Sequence, residues 1–163
     1  MDAIVWNEAV HSVGHPLMDE HHQVLFDQVN RFVELYCQPD PSKIDFFNAL
    51  VALSDFVNFH FSQEERMLAQ IEYPNLDGQE AEHTKFVDKI VGYTTRLNLQ
   101  DLPQLTEFLA HWLIQHILVE DMQYKAHVQR AAEEMVSAAP GQLLSSQPVD
   151  HSATAQCGFH LHK

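Results

Sequence analysis

The chain has 163 residues, of which 45% are hydrophobic, and this composition suits one folded domain with a substantial core. Acidic residues outnumber basic ones by 23 to 9, so the formal net charge is −14. A surface this acidic repels nucleic-acid phosphates and anionic lipid heads, and we therefore expect neither nucleic acid nor a membrane as a partner.

Cysteine usage and the N-terminus bear on the cellular compartment. The two cysteines, Cys37 and Cys157, lie far apart and form no C-x-x-C pair, which argues against a disulfide scaffold and fits a reducing cytosol. The first ten residues, MDAIVWNEAV, lack the basic start and apolar stretch of a secretory signal. No apolar run approaches the roughly 20 residues of a membrane span. We expect a cytoplasmic protein.

Residues that break helices interrupt the hydrophobic pattern at four places, which are 39–42, 73–75, 98–103 and 139–141. Before and between these breaks, apolar residues recur every three or four positions, as they do on the buried face of an amphipathic helix. Ser42 and Asp101 stand where the N-caps of the second and fourth segments are expected. Four amphipathic segments joined by short loops predict an all-α fold, an antiparallel up-down-up-down four-helix bundle.

The two ends of the chain differ from this helical pattern. The predicted bundle domain, residues 1–140, begins with an extended arm over residues 1–16. The predicted anchors of the arm on the bundle are Trp6, Val10 and Val13. Residues 141–163 are rich in Ser, Gln, Pro, Ala and His, a composition typical of a flexible tail.

Several polar side chains fall on the predicted inward faces. They are His22, His60, Glu64, His83 and His116, with Asp121 close to such a face. One histidine on an apolar face is usually an ordinary hydrogen-bonded core residue, but here a set converges from four helices. A buried carboxylate without a compensating charge costs several kcal/mol, and these faces carry no Lys or Arg. A bound cation removes this conflict, so the pattern favours a metal site.

The spacing of these residues indicates which donors share a face. His60 and Glu64 are four residues apart, about one helical turn, so Glu64 can reach past an ion bound by His60. His116 and Asp121 are five apart, which is about 140° around a straight helix. Helical periodicity alone would pair His116 with Glu120, and spacing does not decide between Glu120 and Asp121.

Four stretches of the sequence together resemble one known family. They are SVGHPLMDEHHQVLFDQVN at 12–30, HFSQEERML at 60–68, EHTKF at 82–86 and HWLIQHILVED at 111–121. Their order and spacing are similar to those of the bacterial hemerythrins, which are oxygen-binding four-helix bundles with two non-haem irons. The resemblance extends from Trp6 to about Tyr124.

This resemblance implies a set of metal ligands. In the family, five histidines, a glutamate and an aspartate hold two irons, and the two carboxylates bridge them together with an oxo or hydroxo oxygen from solvent. The implied ligands of the iron with the open, dioxygen-binding position are His22 and His60. Those of the other iron are His83 and His116, and the implied bridges are Glu64 and Asp121 rather than Glu120. The residues expected to line the open position are Leu25, Trp112 and Leu113.

Gln79 departs from the family pattern. The family's fifth histidine stands four residues before the one that matches His83, and this chain has Gln79 there, on the inward face. An amide at that position can coordinate a metal weakly through its oxygen, orient a water ligand, leave a position open, or act only as a core amide. Gln79 is therefore a candidate ligand or a candidate neighbour of the ligands.

Other histidines are predicted to lie outside the centre. His21, His111 and His127 are expected to be exposed. In the predicted tail, Cys157, His160 and His162 offer donors for a soft metal, although a solvated tail is the simpler interpretation.

Three functions are compatible with these residues. The leading one is a non-haem di-iron protein, with iron as Fe2+ or Fe3+, that binds dioxygen for storage, delivery or sensing. The second is a di-iron enzyme that reduces peroxide, dioxygen or nitric oxide at a position opened by Gln79. The third is a metal-binding bundle without redox chemistry, because imidazole and carboxylate also bind zinc or manganese. The first two could use a redox partner, and no oligomeric state is predicted.

Overall fold

Helices make up the regular secondary structure of residues 1–138, the range that the computed structural model describes. In chain order they are α1 (Glu8–His11), α2 (Pro16–Cys37), α3 (Lys43–Gln70), α4 (Leu76–Thr95), a 3-10 turn (Leu99–Asp101), α5 (Leu102–Gln115), a π turn (His116–Glu120), a second 3-10 turn (Asp121–Gln123) and α6 (Lys125–Ala138). The predicted tail and the predicted domain end at residue 140 lie outside the described residues.

Helices α2 to α5 form the four-helix bundle. Helix α3 packs against both α2 and α4, and α2 also packs against α5. The connections between consecutive helices are short, as an antiparallel bundle requires. The predicted all-α four-helix bundle is therefore confirmed. Within the described residues, none of the helices combines the length and the apolar character that a membrane crossing needs.

The hydrophobic core has two parts, and the predicted site lies between them. Along α3, Val57 and Phe61 belong to the larger part, whereas Met67 and Leu68 belong to the smaller one. Glu64 stands between these two pairs and is fully buried. Full burial of an apolar side chain such as Val57, Phe61, Met67 or Leu68 stabilises the fold by about 1.5–3 kcal/mol. Apolar packing on both sides thus holds the polar layer in the middle of the bundle.

One of the two predicted N-caps forms its capping hydrogen bond, and the other does not. The Ser42 hydroxyl accepts a hydrogen bond of 3.3 Å from the backbone N–H of Asp45, as predicted for the start of α3. The Asp101 side chain makes no such bond at the start of α5. The cap there belongs to the preceding 3-10 turn, where the Asn98 side chain accepts from the N–H of Gln100 at 3.1 Å.

The N-terminal arm is only partly extended, which corrects the prediction for residues 1–16. Helix α1 interrupts the arm with a single turn, and α2 already begins at Pro16. Asn7 explains this local turn, because its side-chain oxygen accepts a hydrogen bond of 3.1 Å from the N–H of Ala9. That contact is the standard N-cap of a helix.

The anchors of the arm also differ in part from the prediction. Val13 is fully buried and Trp6 is half-buried, as expected, but Val10 is 45% exposed. Hydrogen bonds to the backbone also anchor the arm. The side chain of Asn30 on α2 exchanges two hydrogen bonds of 2.8 Å with the N–H and C=O groups of Ile4.

The fourth bundle segment changes its helical form at the π turn. The N–H of Asp121 donates to the carbonyl groups of His116 and Ile117, so the chain makes one wider turn before it tightens again. A π turn aligns residues five apart, whereas an α-helix aligns residues four apart. Asp121 is consequently buried together with His116, and Glu120 is left partly exposed.

Candidate metal centre

Six buried polar side chains meet in the middle of the bundle. They are His22 from α2, His60 and Glu64 from α3, His83 from α4, His116 from the π turn and Asp121 from the 3-10 turn after it. None of the six is more than 2% exposed. The structure thus brings together all six side chains that the sequence proposes as metal ligands, and their role as ligands stays a prediction.

The donors form two overlapping groups. One group is His22, His60 and Glu64, and the other is Glu64, His83 and His116. Within each group, one ligand atom of every residue lies within 4.8 Å of those of the other two. Glu64 belongs to both groups, which is the position that a bridging carboxylate takes. Its placement one turn after His60 on α3 explains how a single helix serves both groups.

Asp121 also faces both groups. Its Oδ2 atom lies 3.3 Å from His22 Nε2, and its Oδ1 atom lies 3.5 Å from His116 Nε2. On the opposite side, Glu64 Oε2 lies 3.1 Å from His83 Nε2. The set is therefore nearly symmetric, with two imidazoles on each side and two carboxylates between them.

The ligand atoms lack hydrogen-bond partners among the described residues. The unpartnered atoms are Nε2 of His22, His60, His83 and His116, Oε2 of Glu64 and Oδ2 of Asp121. His83 Nε2 and Glu64 Oε2 are 3.1 Å apart, close enough to interact electrostatically, but their geometry is not that of a hydrogen bond. Buried polar atoms without partners are rare and costly. Imidazole nitrogens and carboxylate oxygens left free around one space fit bound metal ions.

Two neighbouring side chains contact candidate metal ligands on the side away from the shared space. The Tyr124 hydroxyl donates a hydrogen bond of 2.6 Å to Glu64 Oε1, and His83 Nδ1 lies 2.8 Å from Glu65 Oε1. A carboxylate behind an imidazole fixes the ring orientation and leaves the other nitrogen free for a metal. Sequence reasoning missed both neighbours as parts of the centre. Tyr124 was detectable from the sequence, because it lies three residues after Asp121, a spacing that puts two helical residues on one face.

His21 supports His60 in a similar way, which corrects its predicted exposure. It is only 6% exposed, and its Nδ1 lies 3.4 Å from His60 Nδ1. The rings of Phe56 and Phe59 cover it, with centroids at 5.8 and 5.1 Å. An imidazole rather than a carboxylate therefore stands behind this donor.

Two further histidines lie away from the centre. His111 is exposed, as predicted, and its ring nitrogen contacts the Glu107 carbonyl of its own helix at 3.0 Å. His127 is half-buried instead of exposed, since its ring packs edge-on against Tyr73 with centroids 5.0 Å apart. The packing of α6 against the end of the bundle accounts for the difference.

The electrostatics of the centre favour an ionised Glu64 and a neutral His60. Burial raises the pKa of Glu64, but the imidazoles of His83 and His60 outweigh burial and hold this pKa well below its usual value. Burial lowers the pKa of His60 well below that of a free histidine. Burial, together with the nearby carboxylates, raises the pKa of Tyr124 well above 10, so its hydroxyl stays a donor. A cation requires these states of the carboxylate and the imidazole.

His22 and His83 show the opposite balance. Burial lowers the pKa of each ring, but Asp121 beside His22 and Glu64 beside His83 outweigh it, and both pKa values are raised. The two carboxylates therefore favour the protonated form of these rings. A cation bound between the rings and the carboxylates would favour the neutral rings instead.

The three predicted lining residues all belong to the apolar surroundings of the centre. Leu25 and Leu113 are almost fully buried in the larger part of the core. Trp112 is half-buried, and its ring stacks on His116 with centroids 4.4 Å apart and planes 19° apart. Trp112 thus contacts an imidazole of the His83–His116 group, and the role of the three residues as a lining stays a prediction.

Gln79 lies inside the bundle, as the helical period predicts. The side chain is 3% exposed and stands one turn before His83 on α4. Its Nε2 makes a long hydrogen bond of 3.4 Å to Asp121 Oδ1, and its Oε1 has no partner among the described residues. Gln79 is therefore in contact with the centre through Asp121.

Fold and site together define an all-α four-helix bundle with a buried cluster of histidines and carboxylates suited to cation binding. Residues 13–128 match the sequence profile of the family described as the hemerythrin HHE cation binding domain. The chain belongs to this hemerythrin family.

Relatives from several kinds of organism are similar to this chain. A bacteriohemerythrin from Clostridium acetobutylicum is 28% identical over 132 residues, covering 74% of this chain and 97% of the relative. A myohemerythrin from Sipunculus nudus is 30% identical over 124 residues, covering 76% of this chain and 92% of the relative. A crystal structure of wild-type hemerythrin superposes with a TM-score of 0.67 at 23% identity, covering 78% and 98% of the two chains, and supports the fold.

Proposed function

We propose that this chain is a non-haem di-iron protein that binds dioxygen. One observation carries the proposal: two carboxylates and four imidazoles with unpartnered ligand atoms share a buried space in the bundle core. Among the buried residues of the described range there is no Lys or Arg to compensate the carboxylates. Membership of the hemerythrin family and similarity to proteins named bacteriohemerythrin and myohemerythrin support iron and dioxygen over other choices.

The proposed roles follow the two groups of donors. His22 and His60 would hold one ion, His83 and His116 the other, and Glu64 and Asp121 would be shared. The sharing is supported by the distances that link each carboxylate to imidazoles. A pair of irons would supply the electrons that dioxygen takes up on binding and returns on release.

The chain itself would position the donors and exclude water. Tyr124 and Glu65 hold Glu64 and His83 from behind, and donors held this way keep their geometry when the ligand changes. Apolar side chains such as Leu113 surround the polar layer. A dry wall limits solvent access, and solvent access in turn influences the redox potential of a metal site.

An optical titration with dioxygen tests this function. Iron-loaded protein is reduced without air, and dioxygen is then added and removed in steps while the absorption spectrum and the iron content are measured. We expect two irons per chain and an optical change that saturates with dioxygen and reverses on its removal. Asp121→Asn should lose both properties. Glu120→Gln is the matched control, because this neighbouring carboxylate points away from the centre and should be neutral.

A di-iron enzyme is the second candidate, favoured by the symmetry of the donor set. With two imidazoles and two shared carboxylates on each side, both ions would retain open coordination positions, and open positions let a metal activate a substrate. The two functions separate when electrons are supplied continuously. An enzyme would keep consuming dioxygen, peroxide or nitric oxide, whereas a binding protein would stop at saturation. Protein that accumulates zinc or manganese and gives no optical response would contradict both.

A further inference from the structure

Gln79 carries a buried oxygen atom that no described residue satisfies. Its Nε2 is engaged by Asp121 Oδ1 at 3.4 Å, but its Oε1 has no hydrogen-bond partner although the side chain is 3% exposed. A buried amide oxygen without a partner costs about 1–3 kcal/mol. A donor or a cation from outside the chain would remove that cost.

The chemistry of Asp121 determines which end of the amide faces it. An ionised carboxylate accepts hydrogen bonds and cannot donate one, so the NH2 end of Gln79 has to point at Asp121. The opposite orientation would set two acceptor oxygens against each other. The Asp121 Oδ1 that receives the amide is itself 3.5 Å from His116 Nε2. Gln79 is thus one hydrogen bond away from the His83–His116 side of the centre.

The described residues do not provide the missing donor. The Tyr124 hydroxyl is committed to Glu64, and no basic side chain is buried within the described range. One turn after Gln79 on α4, the Nδ1 atom of His83 is already in contact with Glu65. A small molecule or an ion at the centre would give the Gln79 oxygen a partner.

The described donors are fewer than a full coordination shell on this side. His83 and His116 supply two nitrogens, and the two carboxylates are shared with the other side. Manganese and iron ions bound by nitrogen and oxygen donors reach about six ligands, so the donors of the described residues leave a position for solvent. A neutral amide oxygen is a weaker donor than imidazole or carboxylate, and it serves better as a hydrogen-bond acceptor than as a ligand.

We propose that Gln79 creates a second exchangeable ligand position, on the ion held by His83 and His116, for a small molecule that donates a hydrogen bond. Water is the member of this class that is always present. The Gln79 oxygen accepts a hydrogen bond from this water, while the NH2 group keeps its hydrogen bond to Asp121. This inference rests on the proposed function, because it needs an ion at His83 and His116. With this second position, the ions on both sides of the centre would exchange a small ligand with solvent.

Manganese(II) is the probe that tests the proposal without dioxygen. Its unpaired electrons speed the relaxation of water protons wherever water exchanges on and off the bound ion. Metal-free protein is loaded with manganese, bound ions per chain are counted, and proton relaxation is measured per bound ion. In Gln79→His, an imidazole one turn from His83 should displace the solvent, so the relaxation enhancement should fall by about half because one of two open sides closes.

Two further variants sharpen the experiment. Glu80→His is the matched control, because it adds the same imidazole at the neighbouring exposed position and should leave relaxation unchanged. Gln79→Glu keeps the size of the side chain and replaces the amide by a ligating carboxylate, so it should lower relaxation even if Gln79→His packs poorly. Both substitutions at position 79 should also raise the affinity for the second ion, by about tenfold.

The outcomes separate this proposal from the proposed function. Wild-type protein that binds two manganese ions without exchangeable water, or variants at position 79 that match wild type in relaxation and affinity, would reduce Gln79 to a core amide. Those results would leave the dioxygen proposal standing. Wild-type protein that binds fewer than two ions would overturn both together.

Discussion

Removing one oxygen atom from Tyr124 tests how firmly the surroundings of the centre hold Glu64. Tyr124 is fully buried, and its hydroxyl donates to Glu64 Oε1 at 2.6 Å. Tyr124→Phe deletes this hydrogen bond and keeps the edge-on ring contact with Tyr73, whose centroid is 6.1 Å away. The change therefore isolates one polar contact in an otherwise preserved core.

The expected magnitude follows from the charge of the acceptor. A hydrogen bond to an ionised group contributes about 1.5–3 kcal/mol, and the low pKa of Glu64 keeps its carboxylate ionised. We expect metal-free Tyr124→Phe to lose about 2 kcal/mol of unfolding free energy. With metal present, a less restrained Glu64 should lower the affinity by about tenfold, since supporting contacts of metal ligands have effects of this size.

Chemical denaturation of the metal-free protein and competition with a chelator measure the two effects. Tyr73→Phe is the control, because it removes the same atom from the neighbouring ring. It should change stability by less than about 1 kcal/mol and leave metal affinity unchanged. If Tyr124→Phe and Tyr73→Phe behave alike in both assays, the hydrogen bond does not hold Glu64 and this reasoning is wrong.

Three further substitutions or truncations test other parts of the centre. Glu64→Ala removes a carboxylate shared by both groups, so it should abolish loading with two ions; full metal content by elemental analysis would contradict the sharing. His21→Phe keeps an aromatic ring between Phe56 and Phe59 but removes the nitrogen facing His60, and metal affinity should fall by about tenfold with the unfolding midpoint near that of wild type. An unchanged chelator titration would show that His21 only packs. A chain that ends at Pro140 should retain its metal, because the six proposed ligands precede that residue; loss of an ion would assign a ligand to residues 141–163.

Helical periodicity was sufficient to predict the bundle and most of the buried donors. His22, His60, Glu64 and His83 lie on regular α-helices, where a residue three or four positions from a core residue faces the same side. The same rule placed Gln79 inside. These positions depend only on the 3.6-residue repeat, which the sequence displays directly.

Periodicity was insufficient where the helix changes its form. The π turn makes residues five apart align, so a calculation for a straight α-helix wrongly favours Glu120 over Asp121 as the inward partner of His116. The residues HILVE carry no sequence pattern that predicts a π turn. The choice between the two carboxylates therefore needed the family resemblance, and the structure supplies its physical reason.

The burial of His21 was missed for a different reason. Its position beside His22 lies off the inward row of α2, and that row alone predicts exposure. The rings of Phe56 and Phe59 on α3 extend over it and close the space. Such coverage depends on how two helices meet side by side, which the pattern of one helix does not contain.

Anomalous X-ray diffraction at the iron absorption edge tests the central claim most directly. Crystals of iron-loaded protein should give two anomalous peaks in the bundle core, one between His22 and His60 and the other between His83 and His116. Glu64 should contact both peaks. A single peak, a peak elsewhere, or a core with no anomalous signal in protein that contains iron would contradict the proposed di-iron centre.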